Sequence, residues 1–340
     1  MRICICGGGN LGHVIAGYAA SRPGFEVSLL TRQPEWWSRQ LTIDLPNGGT
    51  LSATLHQISN DPQEVVPDAD ILLLCLPGYS IRETLLRVRD AIRPGTAVGS
   101  IVSSTGFFFE AMEVLPKTVP LFGLQRVPFI ARTKEYGHSA TLLGYKNQLH
   151  VAIEQTGQKE ELRQTLERLF GTPTRLMQNF YEVSLSNSNP LLHPARLYDL
   201  WHDWQKGDCY PRIPLFYGEW TRQASELYIA MDDELQALLR KLPVTPGSIA
   251  TVLDYYESKD AESLTDKLRS IEAFKGILAP MRQTDDGLYL PDFQSRYFTE
   301  DFPYGLAIVL RLMQEQGIEA PNIDRVCQWG MAMITDQRIL

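Results

Sequence analysis

The sequence predicts an α/β protein in which an N-terminal Rossmann-type, doubly wound sheet precedes an all-α C-terminal domain. Three observations support this. A strand signal runs into a glycine-rich loop at the start of the chain, strand and helix signals alternate through the first half, and helical periodicity dominates beyond about residue 185. Such alternation is typical of a parallel sheet with helices on both faces. The expected domains are residues 1–183 and 184–340.

Individual segments carry strand or helix patterns. An apolar run at Asp70–Leu76 indicates a strand buried on both faces, and Asn47-Gly48-Gly49 indicates a hairpin turn between Leu41–Leu45 and Thr50–Leu55. The other predicted strands are Arg2–Cys6, Phe25–Leu30 and Ala97–Ser103. The predicted helices are Leu11–Ala20, Ile81–Ile92, Trp220–Leu242, Ile249–Glu257, Ala261–Phe274 and Tyr304–Gln316.

Length and composition narrow the class of protein. A chain of 340 residues is too long for one ordinary hydrophobic core, so two domains are expected. A net charge of −8 disfavours nucleic acid as a partner, because phosphate binding needs clustered lysine and arginine. No apolar run approaches the ~20 residues of a membrane helix. The opening strand is unlike a signal peptide, so we expect a cytoplasmic protein.

The five cysteines predict neither a metal site nor a disulfide framework. Cys4 and Cys6 share one face of a strand, Cys75 lies in an apolar run, and no Cys-x-x-Cys zinc spacing occurs. We expect buried free thiols in a reducing compartment and no bound metal.

The segment Gly7–Gly12 fits the dinucleotide-binding pattern G-x-G-x-x-G. It directly follows the first strand and opens a helix, which is the context that this pattern requires. Its glycines would allow a tight turn and a close approach to a pyrophosphate, and the helix N-terminus favours the phosphate charge. The expected cofactor contacts come from Gly7, Gly9, Asn10, Leu11 and Gly12.

Residues after two other strands bear on the cofactor. Where a carboxylate would bind the ribose diol of NAD, the chain has Thr31 and Arg32. A guanidinium suits a 2′-phosphate, so NADP(H) is favoured and NAD(H) is the alternative. Arg32 could instead be a solvated loop residue. Leu76 and Pro77 follow the fourth strand, at a position where ligands bind in open α/β sheets, although ordinary turns look the same.

Two segments of the second half set titratable side chains among prolines and aromatic residues. Asn189–Pro194 contains His193 and lies near an expected cleft between the domains. A histidine oriented by a carboxylate acts as a general acid and base near neutral pH, although a helix-start or core role is the alternative here. Arg296–Gly305 contains Asp301, which could instead cap the following helix, while Arg296 could pair with a nearby glutamate.

Taken together, these motifs resemble the octopine/nopaline (opine) dehydrogenase family. The similarity is carried by GGGNLGH, NPLLHP, RYFTEDFPYGL and the closing GIEAPNID, with further likeness in Leu124–Lys146 and Ala273–Pro280. It runs in order from residue 1 to about residue 330. Family members condense an α-keto acid with an amino acid and reduce the resulting imine with hydride from a nicotinamide.

The resemblance implies NADPH-dependent reductive amination of an α-keto acid such as pyruvate. It implies that His193 is the general acid/base and that Asp301 is its partner. Arg296 would contact the cofactor pyrophosphate or a substrate carboxylate, and Asn189 and Arg132 would bind substrate. The expected partners are these small molecules, and the aromatic pair Trp36-Trp37 would also permit a homodimer.

Two other functions stay open at this stage. A ketopantoate reductase or 2-hydroxyacid dehydrogenase would share the two-domain plan. Ketopantoate reductase, however, calls for a lysine at the start of the helical domain, where the first lysine is Lys206. A non-catalytic NADP(H) sensor would need neither His193 nor Asp301.

Overall fold

The chain folds into two compact units, Met1–Ser186 and Asn187–Leu340, in a computed structural model that describes residues 1–335. The sequence placed this division after residue 183, inside a short helix that the structure assigns to the first unit. Among the described residues, none of the helices is both long enough and apolar enough to cross a bilayer.

The strands lie in three sheets. They are β1 (Arg2–Cys6), β2 (Glu26–Leu30), β3 (Gln40–Asp44), β4 (Thr50–Thr54), β5 (Gln57–Ser59), β6 (Ile71–Leu74), β7 (Ala97–Ser100), β8 (Leu121–Leu124), β9 (Phe129–Glu135), β10 (Ser139–Tyr145), β11 (Leu149–Glu154), β12 (Thr174–Leu176), β13 (Met281–Gln283) and β14 (Tyr289–Pro291).

The main sheet has eight strands in the order β12-β11-β8-β7-β6-β1-β2-β5. The run from β5 to β8 is parallel throughout, and β11 pairs antiparallel with β8 at one edge. Side chains of β1 alternate between two cores, with Ile3 and Ile5 on one face and Cys4 and Cys6 on the other. A strand buried on both faces reads as a continuous apolar run. The predicted doubly wound sheet is confirmed.

The strand order reverses at β1, since the chain proceeds to β2 on one side and returns to β6 on the other. In open α/β sheets this switch point is where ligands bind, beside the carboxyl ends of the two strands. The glycine loop follows β1 and the Leu76-Pro77 turn follows β6, so both predicted cofactor segments lie at this point.

A second sheet of four strands, in the order β4-β3-β10-β9, packs against the first helix. The predicted hairpin is confirmed, because β3 and β4 pair antiparallel across a turn with Gly48 at φ +81°. Strands β9 and β10 were not predicted, and β10 joins the hairpin through parallel pairing with β3. That pairing joins segments almost one hundred residues apart, so no local pattern encodes it.

The helices of the first unit are α1 (Asn10–Ala20), α2 (Pro62–Val65), α3 (Gly78–Val88), α4 (Phe107–Val114), α5 (Lys159–Phe170) and α6 (Phe180–Ser184). Those of the second unit are α7 (Asn189–Trp201), α8 (Arg222–Leu239), α9 (Val252–Tyr255), α10 (Ala261–Ser270), α11 (Arg296–Thr299), α12 (Ala307–Glu315) and α13 (Pro321–Thr335). A single π-helical turn, Phe302–Leu306, precedes α12.

The second unit is helical, as predicted, with one exception. Strands β13 and β14 form a two-stranded antiparallel sheet, so the expectation of an all-α domain needs this correction. Each strand has three residues, and Gly287 turns between them at φ +84°. Segments this short carry too little alternation to be distinguished from loop.

Cysteine burial also differs in one place from the prediction. All five thiols are free, and four of them are buried as expected. Cys209 is exposed, in the loop between α7 and α8, so the prediction was wrong for this residue.

Candidate active site

The glycine loop after β1 has the backbone geometry of a dinucleotide cradle. Gly7 sits at φ +112°, and a Cβ there would lie 2.6 Å from the carbonyl oxygen of Cys75. A Cβ on Gly12 would overlap the carbonyl oxygen of Gly7, so only glycine lets α1 start this close to the strand. A Cβ on Gly9 would meet nothing within 4 Å, which leaves its outer face open to a ligand.

The residues at this switch point fit a dinucleotide. Helix α1 begins after Gly9 with no side-chain cap, so its first amides are available to a phosphate. A pocket of about 350 Å³ lies beside the loop. Of the predicted cofactor residues, its walls include Gly7, Gly9, Thr31, Arg32, Leu76 and Pro77.

Thr31 and Arg32 follow β2 at the far end of this pocket. Thr31 is buried and its amide donates to Ser59, so the backbone here is fixed. Arg32 is exposed and has no hydrogen-bond or ion-pair partner within residues 1–335. An unpaired guanidinium on the pocket wall is available to an anionic group.

The side chains of Asn10 and Leu11 contact other parts of the protein, unlike side chains that bind a ligand. The side-chain oxygen of Asn10 accepts from the amide of Thr133, 2.9 Å away, which ties the loop to β9. Leu11 packs against the core of the unit. Any contribution of these two residues to phosphate binding therefore comes from their backbone amides.

His13 also fixes the loop. Its buried ring receives the amide of Gly137 at Nε2, 2.7 Å away, and its Nδ1 donates to the carbonyl of Gly9, 3.0 Å away. Trp37 packs on the ring at 4.1 Å. Burial lowers the pKa of His13. The side chain is a neutral brace between the glycine loop and the second sheet.

The second unit holds the other predicted group, His193, on the second turn of α7. Its Nδ1 lies 2.7 Å from Oδ2 of Asp301, and its Nε2 lies 2.9 Å from the hydroxyl of Tyr217. The side chains of His193 and Asp301 are 11% and 18% exposed, so the pair is largely shielded from water. An ionised carboxylate can only accept, so Nδ1 carries a proton. Nε2 accepts from the Tyr217 hydroxyl when the ring is neutral and donates to it when the ring is an imidazolium.

Close packing fixes the two halves of this pair against each other. A Cβ on Gly305 would lie 2.8 Å from the ring of Pro190, so glycine lets the first turn of α7 approach the π-helical turn. The amide of Leu306 donates to the carbonyl of Asp301, 2.8 Å away. Asp301 thus stands at the start of this turn with its carboxylate directed to His193, which replaces the alternative role as a helix cap.

Arg296 lies at the start of α11, one turn before Asp301. Its side chain is exposed, and within residues 1–335 it makes neither an ion pair nor a hydrogen bond. The alternative that it pairs with Glu300 is therefore not realised. The next residue, Tyr297, packs edge-on against the His193 ring at 4.7 Å between centroids. An unpaired guanidinium thus flanks the aromatic wall of the dyad.

The two predicted substrate residues have different settings. Asn189 begins α7, half-buried, four residues before His193. Arg132 lies exposed on β9, where its guanidinium donates to the carbonyl of Ala131, and it does not line the pocket beside the glycine loop. The structure brings Asn189 onto the helix of His193, and the role of Arg132 stays a prediction.

Tyr217 is the residue that the sequence did not predict. It lies between α7 and α8 in a run of aromatic residues, Phe216, Tyr217 and Trp220, that reads as core. No spacing relates it to the histidine.

No group of three or more histidine, cysteine or acidic side chains suited to a metal occurs in the part of the chain that the structure describes.

A dinucleotide-binding sheet followed by a helical unit with a shielded His–Asp pair defines a two-domain, nicotinamide-dependent oxidoreductase. Comparison with known families agrees with this division. The family described as NAD/NADP octopine/nopaline dehydrogenase, alpha-helical domain, matches residues 176–334. The family described as ketopantoate reductase PanE/ApbA matches residues 3–155, which is the dinucleotide-binding part alone.

Individual relatives are similar over nearly the whole chain. Tauropine dehydrogenase of Arabella iricolor is 27% identical over 98% of this chain and 91% of its own length. The structure of octopine dehydrogenase with NADH and L-arginine has a TM-score of 0.87 and 26% identity, over 98% of this chain and 89% of that chain. The same enzyme with NADH and pyruvate has a TM-score of 0.86 and 25% identity, with the same coverage. The chain is thus similar to opine dehydrogenases over nearly its whole length.

We predict that His13 makes the stability of the chain depend on pH. A buried neutral histidine resists protonation, whereas the unfolded chain takes up a proton below about pH 6.5. Stability is therefore present above that pH and falls as the pH drops toward the lower folded pKa. His13→Gln should lose less stability than wild type between about pH 7.5 and 5.5, measured by calorimetry.

The matched control is His138→Gln, one residue beyond Gly137 but with an exposed side chain. It should keep the wild-type slope. Some slope should persist in His13→Gln, because burial also lowers the pKa of His150. A His13→Gln chain with the full wild-type slope would contradict the assignment.

Proposed function

We propose that this protein is an NADPH-dependent opine dehydrogenase that condenses an α-keto acid, such as pyruvate, with the amino group of an amino acid. The observation that supports this best is the 2.7 Å contact of His193 with Asp301, in the unit that matches the family's helical domain. The octopine dehydrogenase structures with NADH and arginine or pyruvate support the same substrate classes.

The chemistry requires one hydride and one proton. A nicotinamide dinucleotide held by the glycine loop would supply the hydride for the imine carbon. Attack of the amine on the keto carbon gives a carbinolamine, and loss of its hydroxyl as water needs a proton. His193 is the group placed to supply this proton, and the Asp301 carboxylate stabilises the imidazolium that carries it.

Shielding from water strengthens this electrostatic partnership. A carboxylate at hydrogen-bond distance interacts more strongly with an imidazolium in a shielded site than in bulk water. It also fixes the tautomer, so that Nε2 is the nitrogen that exchanges protons with the substrate side. The match of residues 176–334 to the octopine/nopaline dehydrogenase family is what favours imine reduction over the two alternatives.

Arg296 is suited to bind a carboxylate of the substrate. Its guanidinium is exposed and unpaired within residues 1–335, and it stands one helical turn from Asp301. Both substrates of the proposed reaction carry a carboxylate, and a planar guanidinium binds one through two parallel hydrogen bonds. Asn189, on the first turn of α7, would orient the substrate near His193.

The preference for NADP(H) rests on Thr31 and Arg32. No carboxylate follows β2 at the position that binds the ribose diol of NAD, and the free Arg32 guanidinium lines the pocket. A 2′-phosphate would gain a charge-assisted hydrogen bond there. A bound dinucleotide would take its remaining contacts from the glycine loop and from the turn at Leu76 and Pro77.

The direct test is oxidation of NADPH by the purified full chain with pyruvate and a panel of amino acids. The proposal expects turnover only when keto acid and amine are both present, with a secondary amine as the product. Turnover with a keto acid alone would favour a 2-hydroxyacid dehydrogenase. Tight NADPH binding without turnover in any mixture would favour a sensor.

We expect His193→Ala and Asp301→Asn to lower kcat by about 10²–10⁴-fold, the contribution of a positioned general acid or base. The affinity for NADPH, measured by fluorescence quenching, should stay near wild type, because neither residue belongs to the unit with the glycine loop. An Asp301→Asn enzyme with full activity would remove the dyad from the mechanism.

We expect Arg32→Ala to weaken NADPH by about 10–100-fold, the value of a hydrogen bond to a charged group. NADH lacks the 2′-phosphate, so its Kd should change much less. Arg93→Ala, a surface arginine paired with Asp68, is the charge-matched control and should alter neither Kd. Equal losses for NADPH and NADH in Arg32→Ala would rule out the 2′-phosphate role.

A further inference from the structure

We propose that Tyr217 is a catalytic residue that carries the proton between His193 and the substrate. This inference rests on the proposed function and assigns a role to a residue that neither the sequence motifs nor the comparisons single out. It follows from the hydrogen bonds of His193, the packing of the Tyr217 ring and the state of its hydroxyl.

Both ring nitrogens of His193 are engaged in hydrogen bonds. Nδ1 is bonded to Asp301 at 2.7 Å and Nε2 to the Tyr217 hydroxyl at 2.9 Å. The three side chains form one hydrogen-bonded chain, Asp301–His193–Tyr217. A proton that leaves the imidazole away from Asp301 must therefore move onto the phenol oxygen, unless the tyrosine moves aside.

The ring of Tyr217 is held in place by its neighbours. Its ring is 4% exposed and stacks on Phe274 with 4.0 Å between centroids and 15° between planes. Phe216 packs against its edge at 4.9 Å, and Trp220 lies parallel to it at 6.1 Å. A ring enclosed in this way does not swing out to admit a substrate, so the hydroxyl stays on Nε2.

A sequence segment with no role in the His193–Asp301 dyad packs beside Tyr217. The stretch 273–280, part of the family resemblance, runs beside residues 214–216. The amide of Phe216 donates to the carbonyl of Ile277 and that of Ala279 to the carbonyl of Pro214, at 2.8 and 3.0 Å. These bonds hold Phe274 over the ring of Tyr217. The segment thus positions the tyrosine.

The buried phenol of Tyr217 favours its protonated form. Burial raises the pKa of Tyr217 well above its ordinary value, and the negative charge of Asp301 acts in the same direction. A hydroxyl that stays protonated can donate one proton while it accepts another. That is the property a relay needs.

The proposed step balances as follows. The Tyr217 hydroxyl donates its proton to the hydroxyl of the carbinolamine. The carbon–oxygen bond breaks, water leaves, and the nitrogen lone pair forms the carbon–nitrogen double bond. The amino acid must lose its ammonium proton before it attacks the keto carbon, and Tyr217 passes that proton to Nε2, which makes His193 an imidazolium. In the dehydration step this proton returns from Nε2 to the phenol oxygen, and Asp301 remains a carboxylate beside the neutral ring. The positive charge ends on the iminium nitrogen, and no net charge develops on the tyrosine.

The test compares Tyr217→Phe with Tyr198→Phe in the full chain. Tyr198 lies on the same helix as His193, but its ring contacts His202 and Trp329. Tyr217→Phe should lower kcat at least about 30-fold and leave the NADPH Kd unchanged, since the relay contributes to general acid catalysis. Tyr198→Phe should keep kcat within about threefold, because it loses a hydroxyl outside the relay.

A double mutant separates a relay from a packing role. If Tyr217 acts through His193, adding Tyr217→Phe to His193→Ala should lower kcat by less than about threefold beyond the single mutant. A loss that adds in full would overturn the relay. Thermal unfolding and NADPH binding of each variant confirm that the compared proteins are folded.

The outcomes also separate this inference from the function on which it rests. A wild-type chain that turns over no keto acid and amine mixture would contradict the proposed function itself. An active wild-type chain whose Tyr217→Phe variant keeps full kcat would overturn the relay alone and leave the His193–Asp301 dyad standing.

Discussion

The hydrogen bond between His193 and Asp301 is the contact on which the functional account depends. It joins α7 to the turn before α12 across more than one hundred residues of sequence. Its geometry requires that the two backbones approach closely, which the Gly305 contact with Pro190 permits. Gly305 and Pro190 therefore matter to the site as much as the two titratable residues do, because their close contact sets the distance between His193 and Asp301.

The sequence predicted those parts of the molecule that depend on local backbone conformation and on the burial pattern of single elements. The glycines of the phosphate loop can be recognised in the sequence because the loop backbone requires glycine, as at Gly7, whose φ is +112°. The alternation of strand and helix predicted the parallel sheet because buried strands read as apolar runs. His193 and Asp301 were predicted from unusual local composition and from the family resemblance, and the geometry of the pair became measurable only in three dimensions.

The features that the sequence did not predict are those that depend on contacts between distant segments of the chain. Strand β10 joins β3 in parallel, and His13 reaches Gly137, through contacts between distant segments. Tyr217 sits in an aromatic run whose pattern matches an ordinary core. Its hydroxyl is connected to the site only by the hydrogen bond with Nε2 of His193, 2.9 Å away. Aromatic residues with one polar atom look alike in sequence whether that atom serves packing or chemistry.

The most direct test is the tautomer of the neutral His193 ring, measured by nitrogen-15 NMR across a pH titration. In the neutral form the proton should lie on Nδ1, facing Asp301, and Nε2 should be unprotonated and accept from Tyr217. Asp301→Asn should change the proportion of the two neutral tautomers of His193. A wild-type ring protonated on Nε2 alone would contradict the account, because its Nδ1 lone pair would then face a carboxylate.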